Sequence, residues 1–121
     1  MKESNDSKNY DLEERTFKFA RRVIRFVNRV PKTIANKEII PQLIRASGSV
    51  GANYIEANES LGKKDFAMRI KICKKESKES RYWLKLLELK NIKELENERY
   101  WLINESTELM KIFGSILNKS K

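Results

Sequence analysis

Apolar residues recur every three or four positions along the chain, with no stretch of sustained two-residue alternation, so helices are expected throughout. A first helix is expected over about Asp11–Arg29. Asp11 and Glu14 have capping-box-like spacing, and Val30-Pro31 ends the segment because a residue before proline avoids the α region. Its Phe19, Val23, Phe26 and Val30 follow the 4-3-4 spacing of a buried seam, widened by Phe17, Ala20, Ile24 and Val27. A second helix is expected from about Asn36, read as its N-cap, to about Asn58; Pro41 fits poorly inside it and would move the start nearer to itself. The third helix is the clearest. Phe66, Ile70, Cys73, Ser77, Ser80, Leu84 and Leu87 keep a heptad rhythm, and Leu102, Ser106, Leu109, Phe113 and Ile116 repeat it in a fourth helix over about Asn97–Asn118. Four amphipathic helices with short connections predict an all-α, antiparallel up-down four-helix bundle in one domain, residues 11–119. Residues 1–10 form a frayed N-terminal segment in this reading, and the last three residues are frayed as well.

Composition removes most chemistry. A chain of 121 residues supports one domain, and 40% hydrophobic content is enough for its core. No apolar run approaches the ~20 residues that span a bilayer, and the opening MKESNDSKNY is too polar for a signal peptide. A cytoplasmic protein without a membrane partner is expected, so the Asn-x-Ser matches at Asn5, Asn58, Asn104 and Asn118 are chance. Histidine, the commonest general base and metal ligand, is absent. Cys73 is alone, which excludes an internal disulfide and a cysteine-based zinc site, and its place on the apolar seam suits a small buried hydrophobe. Four glycines leave no phosphate-cradling loop. Glu76 and Glu79 could share a face with Glu56, but di-iron bundles use Glu-x-x-His motifs, which this chain cannot supply. No enzyme activity, cofactor or metal is expected.

The charge has structure. The net +9 divides into +4 over residues 11–32 and +6 over residues 61–91, with the rest near neutral or slightly acidic. In the first helix Arg15, Lys18, Arg22, Arg25, Arg29 and Lys32 recur at 3-4 spacing, which places them in one line away from the apolar seam, with Arg21 at its edge. In the third, with Phe66 at heptad position d, Lys64, Lys71, Lys78 and Lys85 fall at b, Lys74 and Arg81 at e, and Lys75 at f. Crowding like charges is unfavourable, and a phosphate backbone would relieve it in a strongly salt-dependent way. No aromatic platform or zinc-finger pattern suggests base readout, so recognition of shape or backbone is expected. On the plainer alternative, both stripes are solvated faces that maintain solubility.

Two further features bear on assembly. Positions c and g of the third helix hold Asp65, Arg69, Ile72, Glu76, Glu79, Trp83 and Leu86, a mixed apolar and acidic strip. It reads either as a second interface, with Glu76 and Glu79 meeting arginines from another helix or subunit, or as a widened intramolecular core. The small-residue run Ala46-Ser47-Gly48-Ser49-Val50-Gly51-Ala52-Asn53 suits close helix–helix approach; its Gly-x-x-Gly lacks the strands of a nucleic-acid-clamping KH domain.

Taken together, several segments resemble the 23S rRNA intervening-sequence proteins, also called the S23 or four-helix-bundle protein family. These are Phe19-x6-Phe26, Val30-Pro31-Lys32-Thr33, Gln42-Leu43-Ile44-Arg45 and Ser49-Val50-Gly51-Ala52-Asn53-Tyr54-x-Glu56-Ala57, followed by Lys64-Asp65-Phe66, Lys74-Lys75-Glu76-x2-Glu79 and Tyr82-Trp83-Leu84. The resemblance covers about Phe17 to Leu89 and implies an antiparallel four-helix bundle assembling as a ring-like homopentamer. The family is also similar to the accessory variability determinant of diversity-generating retroelements, a basic pentameric bundle that binds nucleic acid and a reverse transcriptase. Asn53, Glu56, Asp65, Phe66, Glu76 and Glu79 sit at the family's motif positions, where the resemblance implies helix packing and subunit contact.

The expectation is therefore a non-catalytic, homo-oligomeric bundle. It would bind nucleic acid through Arg15, Lys18, Arg22, Arg25, Arg29, Lys64, Lys71, Lys74, Lys75, Lys78 and Arg81, and use Asn53, Glu56, Asp65, Phe66, Ile72, Glu76, Glu79 and Trp83 for packing or subunit contact. The alternatives are a protein-interaction scaffold or reverse-transcriptase accessory subunit, and a bundle whose charge serves solubility alone.

Overall fold

The computed structural model describes residues 2–119, with side chains from Asp11 onward. Four helices fill it: α1 (Lys2–Arg29), α2 (Ile34–Asn58), α3 (Lys63–Leu86) and α4 (Lys93–Lys119). Each packs on its neighbours in the chain and α4 closes against α1, which makes a four-helix bundle with no strand among the described residues. The seams read from periodicity form its core. Phe19, Val23, Phe26, Val27 and Val30 meet Leu43, Val50, Tyr54, Ile70, Cys73, Leu84, Leu102, Leu109 and Phe113, all buried. Serine tolerates this seam because its hydroxyl donates back to its own helix. Ser77 bonds the Cys73 carbonyl at 2.9 Å, Ser80 the Glu76 carbonyl at 2.8 Å and Ser106 the Ile103 carbonyl at 2.7 Å.

Several boundaries differ from expectation. Backbone helix continues from Asp11 back to Lys2, so the segment read as frayed is helical from residue 2; Met1 and the last two residues lie outside the described chain. The N-cap of α2 is Thr33, whose hydroxyl accepts from the Asn36 amide at 3.0 Å. Asn36 is instead fully buried. Its Nδ2 donates to the Pro31 and Glu88 carbonyls, both at 2.8 Å, and its Oδ1 accepts from the Glu88 amide at 2.9 Å. One side chain thus ties the α1–α2 turn to the end of α3. Pro41 lies well inside α2, on its exposed side, and does not set its start. Residues Lys90 and Asn91 turn the chain into α4 with φ of 54° and 62°, the left-handed region. Arg99 covers the end of α3, donating to the Leu84 and Leu87 carbonyls at 3.3 and 2.6 Å.

Phe17 and Ile24 do not widen the core: they remain 60% and 46% exposed on the outside of α1. The small-residue run divides in two. A Cβ on Gly51 would lie 2.9 Å from Thr16 Oγ1, so this glycine sets the approach of α1 to α2, whereas nothing lies within 4 Å of one on Gly48.

Candidate nucleic-acid interface

The arginine row of α1 does not face solvent alone. Arg15, Arg22 and Arg29 lie seven residues apart, next to the apolar seam, and that register brings them against α4. Arg15 makes a two-pronged contact with Glu105 at 2.8 and 2.9 Å, and Arg22 does the same with Glu98 at 2.6 and 3.0 Å. As numbers rise along α1 they fall along α4. The same step would match Arg29 to Asn91, which is in the left-handed turn, so Arg29 reaches Glu94 through a single exposed contact of 3.1 Å. The guanidinium of Arg22 also stacks over Trp101, 3.5 Å from the ring centroid. Hydrogen bonds donated to Glu105 and Glu98 are the main cause holding the Arg15 and Arg22 guanidiniums above their ordinary pKa, against the opposing effect of burial.

The rest of the row is also partly engaged. Lys18 pairs with Glu14 at 3.4 Å on its own helix, and Lys32 donates to the Val27 and Val30 carbonyls at the end of α1. Arg25 is exposed, and Arg21 lies 6.0 Å from the exposed Phe17 ring. The expected line of six solvated cations is corrected, among the described residues, to a seam of inter-helix ion pairs with Lys18 and Arg25 outside it.

The cations of α3 fare differently. Lys64, Lys71, Lys78 and Lys85 are exposed, and none has a carboxylate within 4.0 Å among the described residues. At 1.5 Å rise per residue they stand about 10.5 Å apart along the outer face. Lys75 is exposed and makes a weak contact with Glu79 at 3.9 Å. Lys74 and Arg81 lean towards α4: Lys74 Nζ lies 3.6 Å from where a Cβ on Gly114 would stand, and Arg81 donates to Thr107 Oγ1 at 3.2 Å. Helix α3 carries nine cations and three carboxylates, a net +6. Residues 11–32 and 93–119 together carry eleven and eight, a net +3. The cationic face is therefore chiefly α3.

The other flank of α3 turns towards α2. Arg69 donates to Asn53 Oδ1 at 3.0 Å, while Asn53 Nδ2 donates to the Ser49 carbonyl at 2.9 Å. Glu76 and Glu79 do meet an arginine, Arg45 of α2 in the same chain, at 3.6 and 3.5 Å. Glu76 is buried, and its Oε1 has no hydrogen-bond partner among the described residues; neither does Trp83 Nε1. Trp83 and Phe66 are partly buried against the core, and Ile72 is half-buried. Asp65, in the first turn of α3, and Glu56 on α2 are exposed. Glu56 lies eleven residues beyond Arg45, about 16 Å along α2, so it does not join Glu76 and Glu79 in a carboxylate cluster.

The residues missed from the sequence are the matching ones: Glu94, Glu98, Glu105 and Trp101 opposite α1, and Arg45 opposite α3. Their signal was available as heptad complementarity, since Glu98 and Glu105 are seven apart like Arg15 and Arg22. Burial pushes the Cys73 thiol up to about 12, with its Sγ 3.4 Å from the Val50 carbonyl, which makes it a core residue. Among the described residues no helix is long and apolar enough to cross a membrane.

A crystal structure of a protein of unknown function from the S23 ribosomal protein family of Bacteroides thetaiotaomicron is similar to this bundle, with a TM-score of 0.72 and 29% identity; the match covers 92% of this chain and 98% of that one. No curated protein matches significantly. Residues 8–115 match the family described as 23S rRNA-intervening sequence protein. With almost its whole length matched, the chain belongs to the 23S rRNA-intervening sequence protein family.

Proposed function

We propose that this protein is a non-catalytic, homo-oligomeric, antiparallel up-down bundle that binds the phosphate backbone of structured RNA or DNA through the outer face of α3. The observation that carries the reading is the column Lys64, Lys71, Lys78 and Lys85, exposed and without carboxylate partners among the described residues. Lys75 extends it, and Lys74 and Arg81 support it from the α3–α4 seam. Among the described residues of α1, Lys18, Arg21 and Arg25 add to the reading. Self-association is supported by large apolar side chains left outside: Phe17 and Ile24 on α1, Ile44 and Ile55 on α2, and Tyr82 and Leu86 on α3. A pentamer is the assembly that the family resemblance suggests, and repetition around a ring would make the lysine columns multivalent.

The test is a salt-titrated gel shift on the oligomer peak after light scattering. K71E/K78E should lower affinity at least tenfold and flatten the salt dependence by more than one unit in log K against log salt, while leaving helicity unchanged. Undiminished binding would remove α3 from the interface. Absence of binding to any polyanion at low salt, with capture of an acidic protein or a reverse transcriptase instead, would favour the scaffold reading.

A further inference from the structure

We infer that the α4 carboxylates Glu98 and Glu105 act as built-in phosphate substitutes, holding a second row of anion-binding arginines on α1 in a masked state. The inference rests on the nucleic-acid reading above and concerns its regulation.

Arg15, Lys18, Arg22, Arg25 and Arg29 occupy one side of α1 at 3-4 spacing, which alone would form a continuous basic ladder. In the fold, three of its five members are occupied by glutamates of α4. The geometry is that of phosphate recognition, because a carboxylate accepts the two parallel N–H bonds of a guanidinium as a phosphate does. The arginine side chains of Arg15 and Arg22 are 40% and 41% exposed, whereas Glu105 and Glu98 beneath them are 13% and 21% exposed. An incoming polyanion therefore meets the guanidiniums first and competes with carboxylates tethered behind them. Trp101, whose ring centroid lies 3.5 Å from the Arg22 guanidinium, gives Arg22 a contact on the seam besides Glu98. Ion pairs from three arginines of α1 to three glutamates of α4 line this α1–α4 seam. A dense phosphate backbone can displace both carboxylates at once; an isolated anion must displace one against a partner at high local concentration.

The test compares E98Q/E105Q with E38Q/E59Q, which removes two exposed carboxylates in and at the end of α2 and changes net charge equally. Fluorescent duplex RNA and duplex DNA are used as separate probes. E98Q/E105Q should bind at least about tenfold more tightly than wild type at 0.1 M salt, with a salt slope steeper by about 1.4–1.8, because two arginines become free to release counterions. E38Q/E59Q should gain less than about threefold. Adding R15Q/R22Q restores the wild-type net charge and should erase the gain. Circular dichroism and melting confirm the fold of each variant, and the single changes E98Q and E105Q serve if the double variant unfolds. Equal gains from the α2 and α4 variants would overturn masking while leaving α3 binding intact. If neither wild type nor E98Q/E105Q binds either duplex at low salt, both this inference and the nucleic-acid reading fall.

Discussion

Gly48 and Gly51 lie three residues apart in α2, and alanine should move stability in opposite directions at the two sites. Inside a helix alanine is favoured over glycine by about 0.8–1.0 kcal/mol, so Gly48→Ala, with nothing within 4 Å of the new carbon, should stabilise by roughly that amount. At Gly51 the same carbon would stand 2.9 Å from Thr16 Oγ1 and 3.3 Å from Thr16 Cβ. Thr16 is fully buried, and its hydroxyl lies 3.0 Å from both the Leu12 and Glu13 carbonyls. Turning that side chain would forfeit its hydrogen bonding and bring the methyl group into the same space. Relief then requires α1 to move off α2, an overpacking cost of about 1–3 kcal/mol that outweighs the gain in helix propensity. The two variants should differ by about 2 kcal/mol, or roughly 6–10 °C in melting temperature for a domain of this size. Urea denaturation followed by circular dichroism at one protein concentration measures it. Thr16→Ala should recover most of the loss in Gly51→Ala, because it removes the nearest atom. A Gly51→Ala variant as stable as wild type, or one that Thr16→Ala fails to rescue, would show that close approach is not what this glycine provides.

Asn36→Leu should cost about 1–3 kcal/mol, because it strands the part-buried Glu88 amide and two carbonyls, and tryptic cleavage near Lys90 should accelerate with it. The Cys73 thiol should resist disulfide reagents in the native protein and react at the rate of unfolding. Because burial raises this thiol from 9.0 to about 12, its neutral form is favoured by the fold; that contribution is complete below about pH 9 and declines as pH rises towards 12. Tyr54, also raised chiefly by burial, adds to the same alkaline decline, which a pH series of urea midpoints would detect.

Core faces were legible because burial on a helix is periodic. Phe19, Val23, Phe26 and Val30, and the α3 and α4 heptads, needed no knowledge of their partners. Phe17 and Ile24 were misplaced because each helix touches only two neighbours, so the buried stripe is narrower than the apolar one. The start of α2 was misread for a different reason. Asn36 has the composition of a cap, but its hydrogen bonds go to Glu88, fifty-two residues away, and no local rule reveals that. Thr33 could then serve as the cap because the spacing Thr33 to Asn36 suits an N-cap hydroxyl equally well.

The charge was misjudged by summing it along the chain. A net of zero over residues 92–121 conceals three glutamates on one side of α4 that match three arginines on one side of α1. Surface potential depends on what a fold places side by side, so equal stripes in sequence became unequal faces in space. On α1 the seven-residue repeat coincides with a complementary repeat and is consumed by it. On α3 the lysine column points away from both neighbours, while Glu76 and Glu79 are taken up by Arg45 on the opposite flank. The carboxylates that could have neutralised α3 are thereby turned towards α2, and the uncompensated charge concentrates on one outer face. On the proposed reading, a polyanion approaching the bundle would be steered to that face first, and only a ligand with enough phosphates to displace Glu98 and Glu105 would gain the arginines of α1.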